Sequence, residues 1–296
     1  MLIGAYLLMC TIFGTTYLAI KVGVDAGLPP LLFAALRFAI AGPIALAIVL
    51  LRGLPLPRRP AQYAALAVVG LLNTTLVYAI LFWAEQYVSS GMAAILLSSA
   101  PIHVMLIRRR WSASARWVQI VGVITGIAGV GLVILPQIRS GSPAPLGASA
   151  LLLLACFFLG LGSVKAREAM EEGIHPLALN AFQMLFGGLG LLLGSLLLES
   201  PLRLTMGPAS WWALAHLSLA GSVLGFGIFY GLVARTGPLF PSTWTYVAPV
   251  IATIAGALVL GEPAGWATVG GLLLVLTGAA LTDPAGMRRL ITREGG

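Results

Sequence analysis

The sequence predicts an all-α integral membrane protein: ten transmembrane helices in two five-helix halves of inverted topology, both termini cytoplasmic. Three observations predict it. Of the 296 residues, 59% are hydrophobic and 9% charged, with a mean hydropathy of +1.00, whereas soluble domains carry about 25% charged residues. The apolar residues gather into stretches of about 18–22, the length that crosses ~30 Å of hydrocarbon at 1.5 Å per residue. The last stretch, 235–282, has a paler copy 148 positions earlier.

In chain order the spans fall at about 2–20, 31–51, 62–84, 88–106, 117–135, 147–165, 177–198, 211–233, 240–260 and 265–282. Lipid cannot satisfy backbone N–H and C=O groups, so each must be helical. Turn chemistry separates them: Pro29-Pro30, Pro143, Pro176, Pro201, Gly237-Pro238 and Gly261-Glu262-Pro263. The first span starts at Leu2 with no basic segment before it, which argues against a cleaved signal peptide. Residues 1–140 form the first half and 141–296 the second. The two cysteines, Cys10 and Cys156, lie inside spans and suggest neither a disulfide framework nor a metal site.

Positive charge sets the orientation. With the N-terminus inside, the inner segments carry thirteen Lys and Arg residues and the outer ones three, Lys21, Arg139 and Arg203. The net charge of +8 therefore reads as topology, not as nucleic-acid binding.

The repeat is exact in spacing over the later helices. Pro101 and Pro249 are 148 apart, and at that offset Gly122 matches Gly270, Tyr78 matches Phe226 and Phe82 matches Tyr230. The earlier spans align at shorter offsets, with Pro30…Arg37 on Pro176…Gln183. Five helices per half is odd, so the second copy enters the membrane from the other side. Inverted repeats are typical of secondary transporters that bind substrate near the midplane between the halves.

Each half resembles an EamA repeat of the drug/metabolite transporter superfamily, whose branches include aromatic amino-acid exporters. The resemblance rests on Phe13-Gly14-Thr15-Thr16-Tyr17…Lys21, Pro29-Pro30…Arg37-Phe38, Gln183…Gly187-Gly188, Gly221-Ser222…Tyr230, Tyr246…Pro249…Gly261-Glu262 and Gly270-Gly271…Gly278. It implies a bacterial cytoplasmic (inner) membrane exporter of small metabolites, with helices 1–4 and 6–9 around a central cavity. Helices 5 and 10 would stand outside as packing or homodimer elements. Their glycines, Gly122, Gly126, Gly129, Gly131, Gly265, Gly270, Gly271 and Gly278, suit close helix approach. One departure is that the first half lacks the family's Gly-Glu turn: Ala113-Ser114 stands there, after Arg108-Arg109-Arg110-Trp111. The fourth helix should therefore end near Ile107. Glu262 then reads as a cap ahead of helix ten, not as a substrate contact.

The chemistry expected inside the membrane is binding, not catalysis. No Walker-type phosphate loop, Ser/His/Asp grouping or metal-ligand cluster is present in the pattern. We expect no enzyme, no cofactor and no metal. An enzyme would need a converging nucleophile and base, and a structural subunit would need an obligatory partner and no cavity. Every acid lies near a span end or in a loop, so facilitated uniport by alternating access is expected rather than proton coupling through a midplane carboxylate. Arg37 sits about six residues into helix two, ~9 Å deep. It reads either as a carboxylate anchor or as a structural, outer-gate charge bonded to carbonyls or to Glu262.

Substrate contacts are expected from Thr15, Tyr17, Asn73, Tyr78, Phe82, Ser98, Ser99, Phe226, Tyr230, Trp244 and Tyr246, and hinge positions from Gly91, Pro101 and Pro249. Rings suit an apolar or aromatic side chain and hydroxyls the ends of a zwitterion. The expected substrates are small neutral or zwitterionic metabolites, amino acids first and aromatic or hydrophobic ones above others. Efflux of hydrophobic drugs is the alternative.

Overall fold

The computed structural model describes residues 2–100, 102–103, 107, 116–140, 143–199, 206–236 and 244–282, and within these not the side chains of 116, 137–140, 230, 233–236 and 282. The described residues are helical and contain no strand. We label the helices α1 (Leu2–Asp25), α2 (Pro30–Leu51), α3 (Pro60–Ala84), α4 (Ser90–Leu97), α5 (Arg116–Ser140), α6 (Pro143–Glu171) and α7 (Pro176–Leu198). The next, α8, starts at Pro208 and runs through 236; α9 is Trp244–Leu260 and α10 is Trp266–Thr282. Seven of them, α1–α3 and α5–α8, are long and apolar enough to cross a membrane, and α9 and α10 are shorter apolar helices. The basic run 108–110, the turn at Ala113-Ser114, Pro101 and residues 237–243 lie outside the described residues.

Sequence chemistry explains the boundaries. Pro30, Pro60, Pro143, Pro176 and Pro208 each open a helix, where the missing N–H would be unpaired anyway and φ is already helical. Gly261, at φ +66°, closes α9 and lets the chain reverse at once. Three helices outrun their apolar spans, α5 by continuing to Ser140. α1 continues to Asp25 with a Lys21–Asp25 ion pair of 3.0 Å. α6 continues to Glu171 with Lys165–Glu168 and Arg167–Glu171, both 2.8 Å. Hydropathy marks the lipid slab, whereas i,i+3 and i,i+4 pairs carry the helix beyond it.

The bundle is built from close pairs: α1 with α9, α2 with α7, α3 with α6 and with α7, α4 with α9, and α5 with α10. The α5–α10 pair is a glycine seam. A Cβ at Gly278 would fall on the backbone of Gly126, and one at Gly129 would come within 2.7 Å of the Val275 nitrogen. These glycines are used within the chain. Gly131 and Gly265 face open space.

Two stretches depart from α geometry, the π-helical segments Leu71–Leu76 in α3 and His216–Leu224 in α8. At the 148-residue offset the first falls within the second. Short π segments recur at functional sites because the wider turn re-aims side chains. Here the second one turns Ser222 inward, its Oγ donating to the Leu217 carbonyl at 3.0 Å.

Candidate functional site: a central cavity with a buried arginine

A cavity of about 210 Å³ lies between the helices. α1 supplies Phe13, Thr16, Tyr17 and Ile20, an i, i+3, i+4, i+7 set that shares one helix face. α3 supplies Asn73 and Thr74 from its π segment, then Val77, Tyr78 and Leu81. α4 and the residues after it add Ala94, Leu97, Ser98 and Ala100. From the second half come Leu159, Gln183, Met184, Phe226, Trp244, Thr245 and Pro249. Phe13 joins two of the walls, with ring centroids 5.3 Å from Phe226 and 4.7 Å from Trp244.

Arg37 is part of this wall and only 2% exposed. Its Nε donates to Ser222 Oγ at 2.9 Å. Its guanidinium carbon lies 4.9 Å from the Tyr78 ring centroid and 5.1 Å from that of Phe38, a cation–π setting. Its Nη1 is buried and makes no hydrogen bond. Gln183, its counterpart in the sequence repeat, lines the same cavity and donates to Asn180 Oδ1 at 2.9 Å.

Of the residues expected to contact substrate, Tyr17, Asn73, Tyr78, Ser98, Phe226 and Trp244 line the cavity, as do Pro249 and Arg37. Others do not. Thr15 bonds His216 Nε2 at 3.0 Å and the Thr11 carbonyl at 2.8 Å on a neighbouring face of α1. Phe82 is fully buried against Phe33, edge-on at 5.5 Å. Ser99 donates to the Leu96 carbonyl at 2.7 Å and approaches Cys156. Tyr246 turns to the Ala279 carbonyl of α10 at 3.4 Å. Gly91 packs under Thr253 of α9, a helix contact rather than part of the cavity. The side chain of Tyr230, like Pro101, lies outside the described residues.

Cavity residues outside the expected set are Phe13, Thr16, Phe38, Thr74, Gln183 and Thr245, with the aliphatic lining. Helical periodicity through Tyr17 would have found Phe13, Thr16 and Ile20, whereas residue type alone favoured Thr15.

One end of the bundle is an acidic rim. Glu262 does not cap α10, the helix it precedes. It reaches across to α4, where Ser90 N–H donates at 2.7 Å, Gly91 N–H at 3.2 Å and Ser90 Oγ at 2.9 Å. Gly256 makes room, since a Cβ there would meet the Glu262 carboxylate. Glu199 does the same for α2, accepting from Leu31 N–H at 2.6 Å and Leu32 N–H at 2.8 Å. Each carboxylate satisfies orphan donors at the positive end of a helix dipole. Capping was legible in the sequence; the helix capped was not, because the contact crosses more than 160 positions.

Glu85, just past α3, is different. It is fully buried, and neither carboxyl oxygen has a hydrogen-bond partner. Lys21 donates to its backbone carbonyl at 2.7 Å, not to its side chain. Burial holds its pKa well above the ordinary carboxylate value, and the charges of Glu262 and Asp25 add to this against Lys21. The folded state thus keeps a proton that the unfolded chain releases. Stability from this group is highest below the ordinary carboxylate pKa and declines as pH rises toward the raised one. Glu85→Gln is expected to flatten the pH dependence of the melting temperature above the ordinary carboxylate range and to raise it at the alkaline end. A parallel slope in both proteins would contradict this.

Comparison with known proteins settles the class. The model of the EamA-like transporter family matches residues 1–135 and 146–282. The chain belongs to the EamA-like transporter family. It is 31% identical over 264 residues to an Escherichia coli K12 protein described as the uncharacterized inner membrane transporter YedA, covering 88% of this chain and 83% of that one. It is 26% identical over 281 residues to a Salmonella typhimurium protein described as a probable amino-acid metabolite efflux pump, covering 92% and 91%. A solved crystal structure superposes at TM-score 0.66 over 97% of both chains, at 20% identity, a likeness of fold. This EamA-like protein is an integral membrane transporter. Its relatives are named as transporters, not as enzymes.

Proposed function

We propose that this EamA-like protein exports small metabolites bearing a carboxylate and an apolar or aromatic side group, hydrophobic and aromatic amino acids among them, across a bacterial inner membrane. The observation that carries the reading is Arg37, buried in a ring-lined cavity with a free Nη1. A guanidinium with unused donors selects a planar carboxylate, and Phe13, Tyr78, Phe226 and Trp244 offer faces for an apolar group. The cavity, at about 210 Å³, is smaller than the ~300–1,000 Å³ typical of sites for drug-sized ligands, which favours metabolites over bulky drugs.

Ten spans in inverted halves, with both termini inside, remain the reading of topology. The helix pairs support it: α1–α9 corresponds to α6–α4 and α3–α6 to α8–α1 when five is added to each index, while α2–α7, α4–α9 and α5–α10 map onto themselves. Such a pseudo-twofold bundle rocks about a shared site to give alternating access. Flux is downhill, as facilitated uniport. A homodimer on α5 and α10 would use their outward faces, where Ile124, Ile127 and Leu273 are exposed, because the glycine seam is closed within the chain.

The test is counterflow in proteoliposomes preloaded with single amino acids. Phenylalanine and leucine are expected to exchange, and lysine and glutamate to exchange at least tenfold more slowly, because an extra desolvated charge has no charged partner of its own among the described residues of the cavity. Equal exchange of all four, or none, would contradict the proposal.

A further inference from the structure

The charge balance around Arg37 points beyond amino acids. Among the described residues no Asp or Glu lines the cavity. The stretches outside the description that adjoin its helices, 104–106, 108–115 and 237–243, contain no acid either. The acids on the rim are accounted for. Glu262 is held by Ser90 and Gly91, Glu199 by Leu31, Leu32 and Ser195, and Asp25 by Lys21. Glu85 lies about two turns outward of Tyr78 on the same chain segment, ~10 Å along the axis. His216, near Arg37, is hydrogen-bonded to Thr15, and the other titratable side chains of the wall are the phenols of Tyr17 and Tyr78. Among the described residues the site thus presents one fixed positive charge, a free donor and aromatic walls, and to an ammonium group it offers only neutral partners, the ring faces and Asn73 Oδ1, which is buried without a hydrogen bond.

We propose that the preferred substrates are hydrophobic or aromatic carboxylates without an amino group, carried as net anions. The proposal rests on the transporter reading above and narrows its substrate class. A zwitterion entering this cavity would pair its carboxylate with a charge but its ammonium only with neutral groups such as Asn73 Oδ1, a desolvation cost that a simple carboxylate avoids.

A consequence follows for the driving force. Arg37 returns with the protein in every cycle, so the net charge moved by a uniporter is the charge of the substrate alone. An anion leaving a cell that is negative inside moves down the electrical gradient. At ~2.3 kcal/mol per charge per 100 mV, the potential alone sustains a roughly fifty-fold concentration ratio outward. Export against a concentration gradient then needs no coupling ion.

The experiment uses the full chain in proteoliposomes with a potassium diffusion potential set by valinomycin, and protein-free vesicles as blank. Three probes share one ring and chain: 3-phenylpropionate, phenylalanine and phenylalaninamide. The expected order of counterflow is 3-phenylpropionate first, phenylalanine at least several-fold lower and phenylalaninamide at background. A 100 mV potential, negative inside, should lower the equilibrium level of 3-phenylpropionate inside by about fifty-fold and leave that of phenylalanine unchanged. Phenylalanine carried as well as or better than 3-phenylpropionate would overturn the inference while leaving the exporter standing, as would 3-phenylpropionate flux indifferent to the potential. Failure to carry any of the three, by protein that melts cooperatively, would remove the proposed function and the inference with it.

Discussion

Arg37→Ala is expected to slow counterflow of phenylalanine or any other carboxylate substrate by roughly ten- to a hundredfold, the effect of losing charge-assisted hydrogen bonds of about 1.5–3 kcal/mol. The fold should survive the change. The guanidinium is 2% exposed, spends Nε on Ser222 and leaves Nη1 without a bond, so the native state already bears the cost of an incompletely paired buried charge. Its contacts with the Tyr78 and Phe38 rings offset part of that cost. The melting temperature should therefore stay within a few degrees of the parent while transport falls. Arg37→Lys should restore little, because an ammonium has neither the planar fork nor the stacking of a guanidinium. Wild-type flux from a well-folded Arg37→Ala protein would show that the arginine is structural.

The opposite profile is expected at the rim. Glu262→Ala removes the acceptor of three hydrogen bonds to Ser90 and Gly91 and uncovers the start of α4. Loss of a charged cap plus the space left beside Gly256 should destabilise by about 3 kcal/mol, or roughly 5–10 °C in melting temperature. Glu262→Gln keeps one acceptor and should lie between. Transport per folded molecule should change less than stability does. A Glu262→Ala protein that melts with the parent but fails to transport would instead assign Glu262 to the substrate path. Helix α4 supplies Ala94 and Leu97 to the cavity, with Ser98 just after it, so a frayed start would be felt as lost stability before it is felt in specificity.

These two residues mark how far the sequence could be read. Apolar length, proline placement and the 148-residue repeat located the helices to within a few residues. The exceptions were α1, α5 and α6, and the extended ends of α1 and α6 carry ion pairs. Six of the eleven expected contacts line the cavity, and others do not, because residues chosen by polarity fall on any face of a helix. Thr15 and Thr16 are adjacent in sequence yet about 100° apart around α1, and only Thr16 faces the cavity. Tyr246 and Thr245 part in the same way on α9.

By itself the sequence determined that the chain enters lipid as helices and which family it resembles. It also showed that Glu262 stands at a turn able to cap a helix. These properties follow from composition and local spacing, which every residue carries with it. Tertiary structure decided what lies across a helix–helix gap. It set Arg37 against Ser222 from 185 positions away, sent Glu262 to α4 instead of α10, and enclosed Glu85 without a partner. Burial and charge pairing belong to sites assembled from distant segments, and only the packed bundle brings those segments together.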